Sequence, residues 1–115
     1  MPRGVTNPNF MNGVPEMLVL GLLREKKEMY GYEIVQAIRN RSDSMIAIGE
    51  GVVYPLLHAL ERGGALRARR QTVGGRGRIY YRLTPEGARR LLTLAKEWSR
   101  VGSGVRKVLA GLTGP

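Results

Sequence analysis

The sequence predicts one domain that is mainly α-helical, with a small β-hairpin and a long C-terminal helix. Three observations support this fold class. Apolar residues recur at helical spacing in three segments before residue 63. Two short alternating segments flank a glycine-rich step near residue 75, and a regular apolar pattern then continues to residue 112. A chain of 115 residues can bury one small core, which excludes a second domain or a large enzyme fold.

The composition combines a large positive charge with an absence of cysteine. There are 19 Lys and Arg against 9 Asp and Glu, one His and no Cys, for a formal net charge of +10. Without Cys there is no disulfide framework, thiolate zinc site or Cys nucleophile, and a cytoplasmic location is expected. We expect no cofactor and no metal. Such a charge is typical of proteins that bind polyanions, either nucleic acid or an anionic membrane surface.

The N-terminal part of the chain predicts an irregular arm followed by two helices. Residues 1–13 are rich in Asn, Gly and Pro without periodicity, which is typical of irregular structure. A first helix is expected to begin near Pro15 and to end among the cations near Lys27. The glycine-containing step at residues 30–32 separates it from a second helix that runs to about Asn40.

A third helix and a hairpin are predicted next. Residues 51–62 form a helix whose apolar face includes Val53 and which ends at two glycines. Residues 66–72 and 78–84 alternate as strands do, and the glycine-rich residues 73–77 form the loop between them.

The last predicted helix begins at residue 85 and carries a regular apolar seam. Thr84 suits an N-cap and Pro85 a first turn. Two glycines within residues 102–104 leave open whether the helix continues, bends or ends there. Spacings that alternate between three and four are typical of a helix that packs against a partner helix. The seam residues are Leu91, Leu94, Trp98, Val101, Val105, Val108 and Leu112.

This order of elements is that of a winged helix-turn-helix domain with a C-terminal extension. In such domains the second helix of the motif enters the major groove of DNA, a role that falls here to residues 51–62. Seven Arg and no acidic residue lie between residues 62 and 82. Arginine suits phosphates and narrow minor grooves, so the hairpin is predicted to contact DNA. A solvated basic face is the alternative, and a membrane contact is disfavoured because the cations lie on strands.

Several motifs resemble those of the PadR-type transcriptional regulators, over about residues 15–110. The motifs are YGYEI at residues 30–34, VYPLLHALE at 53–61, GGR at 74–76, YYRLT at 80–84 and Gly87. The resemblance implies a bacterial, dimeric DNA-binding regulator, most often a repressor, whose C-terminal helix mediates dimerisation. The chain departs from the family pattern at Val52, where a hydroxyl residue is usual, and at residues 67–71, where a Trp is usual.

The predicted organisation is an arm at residues 1–13, a DNA-binding domain at 14–84 and a dimerisation helix at 85–112. Arg76 and Arg78 are expected to contribute most of the hairpin's affinity for double-stranded operator DNA. Tyr54 is predicted either to touch a phosphate or to pack under the hairpin. His58 has no metal-ligand spacing, so it is interpreted as an ordinary helix residue. The predicted DNA-binding residues are Arg39, Arg41, Val52, Val53, Tyr54, His58, Arg70, Arg76 and Arg78.

The seam has two interpretations. Trp98 is either part of a dimer core or, with Leu94 and Val101, a stacking surface for a small hydrophobic or aromatic effector, as in some relatives. The predicted dimerisation residues are Leu91, Leu94, Trp98, Val101, Val105 and Val108. The carboxylates are scattered, so no catalytic residue is assigned. Alternative functions are a small-molecule-binding or protein-interaction module with only non-specific nucleic-acid affinity, and a winged-helix RNA-binding protein.

Overall fold

The computed structural model describes residues 13–113 as four helices and three strands, which confirms the predicted fold class. The predicted arm, residues 1–13, lies outside the described residues except for Gly13, which begins the first helix. In chain order the elements are α1 (Gly13–Glu25), β1 (Met29–Tyr30), α2 (Gly31–Arg41), α3 (Glu50–Arg62), β2 (Leu66–Val73), β3 (Arg76–Leu83) and α4 (Pro85–Thr113).

The core lies where the first three helices meet the sheet. Its largest fully buried side chains come from four elements, namely Leu20 of α1, Met29 of β1, Ile34 of α2 and Leu57 of α3. Full burial of an apolar side chain of this size contributes about 1.5–3 kcal/mol relative to leaving it exposed. The core therefore holds α3 by one face and leaves the opposite face in solvent.

The sheet has three antiparallel strands in the order β1-β3-β2, where the sequence predicted only the hairpin. Met29 lies opposite Tyr81 and Tyr30 opposite Tyr80, so β1 pairs with β3. A strand of two residues has no alternation that a sequence pattern could reveal. Leu66 and Tyr81 face the core, and we call the opposite surface, which carries Tyr80 and Arg82, the outer face of the sheet.

The hairpin loop contains only two residues, so the predicted loop of residues 73–77 was too long. Pairing continues to Val73 opposite Arg76. Between them, Gly74 and Gly75 have φ of +56° and +78°. Positive φ at both loop positions is the type I′ geometry that matches the twist of the strands, and glycine adopts it without steric cost.

The start of α4 is fixed against the base of the hairpin. The Thr84 hydroxyl accepts the Gly87 N–H at 3.0 Å, which confirms the predicted N-cap, and lies 2.6 Å from the Gly64 carbonyl oxygen. The Thr84 N–H donates to the Ala65 carbonyl at 3.1 Å. A Cβ on Gly87 would collide with that same carbonyl oxygen, so glycine is required there.

α4 is one helix of 29 residues and continues through Gly102 and Gly104, which resolves the question that the sequence left open. Its first half packs on α1: Leu91 is in the core, and Arg90 pairs with Glu16. Beyond residue 101 its apolar residues are largely exposed. Within residues 13–113, no helix combines the length and apolar character needed to cross a membrane.

Candidate nucleic-acid interface

The exposed face of α3 begins at Val52. The core face of the helix includes Val53 and Leu57, which are 0% and 1% exposed, whereas Val52 is 50% exposed. The sequence predicted Val53 both as a core residue and as a DNA contact. The core role is confirmed and the DNA contact is wrong, because a fully buried side chain has no surface to offer. Val52 and His58 lie on the exposed side of α3.

Tyr54 packs on the N-terminus of α2. A Cβ on Gly31 would collide with the Tyr54 ring, so the glycine lets the ring lie against the backbone. The Tyr54 hydroxyl donates to Glu50 Oε1 at 3.1 Å. Partial burial, followed by this carboxylate, raises the pKa of Tyr54 above its ordinary value. Tyr54 therefore packs against α2, a partner that the sequence did not predict, and both the packing under the hairpin and the phosphate contact stay predictions.

The turn between α2 and α3 is held by hydrogen bonds within the turn itself. Asp43 and Ser44 have φ of +53° and +65°, a conformation that is uncommon for residues other than glycine. The Ser42 hydroxyl accepts the Ile46 N–H at 3.0 Å and so closes the turn. This geometry sets the direction in which α3 leaves α2.

The two predicted arginines at the end of α2 are both exposed. Arg41 Nη1 lies 2.5 Å from Glu25 Oε2, and both side chains are more than half exposed. An ion pair this exposed contributes about 0–1 kcal/mol. Arg41 can therefore exchange Glu25 for a phosphate at little cost, and its role in DNA binding, like that of Arg39, stays a prediction.

Four side chains form a continuous stack on the outer face of the sheet, which we call the arginine–tyrosine ladder: Arg78, Tyr30, Tyr80 and Arg69. The Arg78 guanidinium carbon lies 4.1 Å from the Tyr30 ring centroid. The Tyr30 and Tyr80 centroids are 5.6 Å apart in an edge-to-face arrangement. The Arg69 guanidinium carbon lies 4.7 Å from the Tyr80 centroid. Both arginines thus stack on aromatic faces.

Glu28 anchors one end of the ladder. The Arg69 Nε and Nη2 atoms each donate to one Glu28 carboxylate oxygen at 2.7 Å, a two-point contact. These hydrogen bonds, donated by Arg69 and accepted by Glu28, lower the pKa of Glu28 and raise the pKa of Arg69. Sequence reasoning missed this arrangement, because the ladder needs β1 to bring Tyr30 beside Tyr80.

Arg70 and Arg76 are the two predicted hairpin residues that lie outside the ladder. Arg76 is exposed and directly follows the loop glycines. Arg70 pairs with Ile79, so it lies on the sheet face of Tyr81, on the same side as the core and α3. Burial is the main cause of a raised pKa at Tyr81, and Arg70 opposes that rise, which places its charge nearby. The hairpin thus offers cations at its tip and beside α3.

The predicted dimerisation and effector residues divide into buried and exposed groups. Leu91 and Val101 are only 8% and 7% exposed within one chain, so most of their surface is already covered. Leu94 is half-buried against the core. Trp98, Val105 and Val108 are 46%, 49% and 75% exposed. The exposed part of the predicted seam, and with it the candidate dimer surface, therefore lies towards the C-terminal end of α4. Within residues 13–113, no three His, Cys, Asp or Glu residues are grouped so as to hold a metal.

Comparison with known proteins agrees with this architecture. The family model of the PadR-like transcriptional regulators matches residues 19–93. A transcriptional regulator from Clostridium thermocellum is 30% identical with a TM-score of 0.78, over 90% of this chain and 97% of that one. A PadR family regulator from Eggerthella lenta is 37% identical with a TM-score of 0.75, over 85% and 83%. Bacillus subtilis PadR, solved in complex with operator DNA, is 28% identical with a TM-score of 0.64, over 70% and 45%. The chain belongs to the PadR-like family of transcriptional regulators.

Proposed function

We propose that this protein is a cytoplasmic, homodimeric repressor that binds a specific double-stranded operator. The observation that carries the proposal is the surface formed by the exposed side of α3 and an arginine-rich hairpin without acidic residues. The complex of Bacillus subtilis PadR with operator DNA supports the same partner here. In the proposed mode, α3 of each subunit enters a major groove, and the two grooves are about 34–36 Å apart on a palindromic site.

Dimerisation through α4 follows from the chemistry of its exposed half. Val105, Val108 and Leu112 are 49%, 75% and 79% exposed and recur at the spacing of a helix-packing seam. A row of apolar side chains in water is unfavourable, and burial contributes about 25 cal/mol per Å² of apolar surface. A second copy of α4 offers the same row in return, which fits a two-fold interface.

The proposed repressor responds to a small hydrophobic or aromatic effector. Trp98 is 46% exposed and lies between Leu94 and Val101 in the seam, so its ring can stack on a planar compound. An effector that binds one dimer geometry better than another would shift the spacing of the two α3 helices. We expect Trp98 fluorescence to change with planar aromatic compounds. Unchanged emission across a chemically diverse set would leave the residue a purely structural role.

The DNA proposal is tested by fluorescence anisotropy on the duplex upstream of the protein's own gene, with a scrambled duplex as control. We expect preferential binding of the native duplex, with an affinity that falls steeply with salt because counterions are released. In a run-off assay on the same DNA, repression predicts less transcript as the protein is added. Equal affinity for both duplexes would mean that the protein binds nucleic acid non-specifically. Tighter binding of structured RNA than of either duplex would identify RNA as the partner.

Substitutions on the exposed side of α3 test whether its residues recognise bases. Val52→Thr is expected to change base preference, because a valine in the groove can touch a thymine methyl whereas threonine adds a hydrogen-bonding group. His58→Ala is expected to act in the same way from the exposed side of α3. Both are measured as affinities for a panel of single-base operator variants. A uniform loss across the panel would mean that these residues do not read bases.

A further inference from the structure

An open cleft with a strongly basic lining lies at the base of the hairpin, away from the tip. It has a volume of about 460 Å³ and is formed by the C-terminal end of α1, the connection after it, the first residues of β2, the last residues of β3 and the start of α4. No carboxylate lines it. The cations that line it are Arg24, Lys27, Arg67 and Arg82.

Two of these cations face each other in the sheet. Arg67 lies directly opposite Arg82 in the register of β2 and β3, and both are exposed on the outer face. Like charges at directly opposed positions of an antiparallel pair are destabilising. The pair therefore carries an electrostatic cost that a bound anion would relieve.

Protein groups compensate little of this charge. Within residues 13–113, the side chains of Arg24, Lys27 and Arg67 form no hydrogen bond or ion pair. Glu28 lines a smaller adjoining cleft beside Arg67 and Arg82 and attracts Arg82 and Lys27 electrostatically, but its two oxygens are both hydrogen-bonded to Arg69. Because this single carboxylate is hydrogen-bonded to Arg69, most of the positive charge of the four cleft cations is not neutralised.

Helix electrostatics explain only part of the cluster. Arg24 lies in the last turn of α1 and Lys27 lies two residues beyond its end, where cations stabilise the partial negative charge of the helix. That argument does not reach Arg67 and Arg82, which belong to strands. Their convergence on the same cleft needs a different reason.

We propose that this cleft binds a phosphate group, either on a small phosphorylated molecule or on DNA that flanks the operator. Arginine forks match phosphate oxygens and form charge-assisted hydrogen bonds. The volume falls within the range of about 300–1,000 Å³ that is typical of small-molecule sites. Leu83, which is half-buried, and Pro85, which is exposed, add apolar surface beside the cations, suited to a group attached to the phosphate. The site goes beyond the proposed reading surface, since neither α3 nor Arg76 contributes to it.

The direct test titrates the full chain with inorganic phosphate, without DNA, against chloride at equal ionic strength. Amide and arginine side-chain NMR signals are expected to shift saturably at residues 24–27, 67 and 82–84. Arg67→Gln with Arg82→Gln is expected to weaken phosphate binding about tenfold or more, since two charge-assisted contacts are lost. The matched control loses the same two charges outside the cleft, through Arg89→Gln with Lys96→Gln at exposed positions of α4.

A stability measurement guards against a folding artefact. Removing two opposed like charges is expected to leave the melting temperature of the double variant unchanged or higher, while phosphate raises the melting temperature of the wild type only. A phosphate response no larger than that of chloride, or wild-type phosphate affinity in the double variant, would overturn the site.

Operator binding by the same variants identifies the source of the phosphate. A cleft variant that loses phosphate binding but matches the control with Arg89→Gln and Lys96→Gln in operator affinity assigns the cleft to a small phosphorylated molecule. A larger loss of operator affinity than in the control, with a shallower salt dependence, assigns it to the DNA backbone. Because the phosphate titration contains no DNA, it stands even if the operator proposal fails.

Discussion

The hairpin and the C-terminal half of α4 both project from the core. Other residues of the same chain contact both faces of the hairpin, whereas the apolar row of α4 is exposed. Its inner face contributes Tyr81 to the core, and its outer face is held by the arginine–tyrosine ladder and Glu28. Beyond residue 101, in contrast, α4 exposes Val105, Val108 and Leu112 to solvent. We therefore expect the hairpin to hold its conformation before it binds a partner. The helix, in contrast, needs a second surface to bury its apolar row.

The two regions should also respond to different conditions. Contacts made by hairpin arginines with a polyanion weaken with salt, because each releases counterions. Burial of the α4 row depends on apolar area and on protein concentration, and is only weakly sensitive to salt. Substitutions in each region separately test whether the hairpin acts in binding and the end of α4 in association.

The largest effect is expected from Val105→Glu combined with Val108→Glu. Two carboxylates in the apolar row would prevent its burial, since an unpaired buried charge is costly. We expect a monomer in sedimentation equilibrium and an operator affinity reduced by about 100-fold or more, because the second half-site no longer adds to the first.

Ala110→Glu is the control for adding a carboxylate to this part of α4, because residue 110 lies about 140° around the helix from residue 105. It should remain dimeric. A double variant that keeps the wild-type association constant would mean that the C-terminal half of α4 is not the interface.

A smaller effect distinguishes the hairpin tip from the ladder. Arg76→Ala should weaken operator binding about tenfold and lower the salt slope by about one per contact, with no change in melting temperature. Arg78→Ala should lower both affinity and melting temperature, because its guanidinium packs on Tyr30. Thermal unfolding and an anisotropy salt series measure both quantities. Wild-type affinity and slope in Arg76→Ala would remove the tip from the interface.

The ladder itself is tested by Tyr80→Leu, which keeps apolar volume but removes the edge-to-face pair with Tyr30. Such a pair contributes about 0.5–1.5 kcal/mol beyond its burial. We expect a loss of that size in urea unfolding and faster amide exchange in β2 and β3. Tyr32→Leu, at a 51% exposed position on α2, should change neither. Equal exchange in the two variants would mean that the stack does not hold the hairpin.

The smallest effect is the pH dependence of the Glu28 contact. The Arg69 hydrogen bond lowers the pKa of Glu28 in the folded protein below the ordinary value of 4.5. The carboxylate therefore stabilises the fold fully above that value, and the contribution is lost as the pH falls through the lowered pKa. Glu28→Gln should be less stable than the wild type at neutral pH, and the difference should shrink in acid. Urea unfolding at several pH values measures it, and a difference independent of pH would contradict the assignment.

Much of the architecture could be predicted because its signals are local. Periodicity predicted the helices, the cap at Thr84 was confirmed by the Gly87 contact, and glycines marked the hairpin loop. Two features were predicted wrongly or missed: which of two adjacent valines is buried, and the pairing of β1 with the distant strand β3. Val52 and Val53 are equally apolar, and only the packing direction of α3 determines which one is buried.

The sequence by itself therefore determined the order of the elements, the basic character of the hairpin and the apolar row of α4, since these depend on composition and on short-range spacing. Only the tertiary structure decided which arginines are engaged with the protein. Arg69 and Arg78 stack on tyrosines because β1 joins the sheet from a position about 50 residues away in the chain. Arg67 and Arg82 converge with Arg24 and Lys27 on one cleft because α1 packs beside β3. Strand register and helix packing bring together residues that are distant in the chain, and no local pattern encodes such pairings.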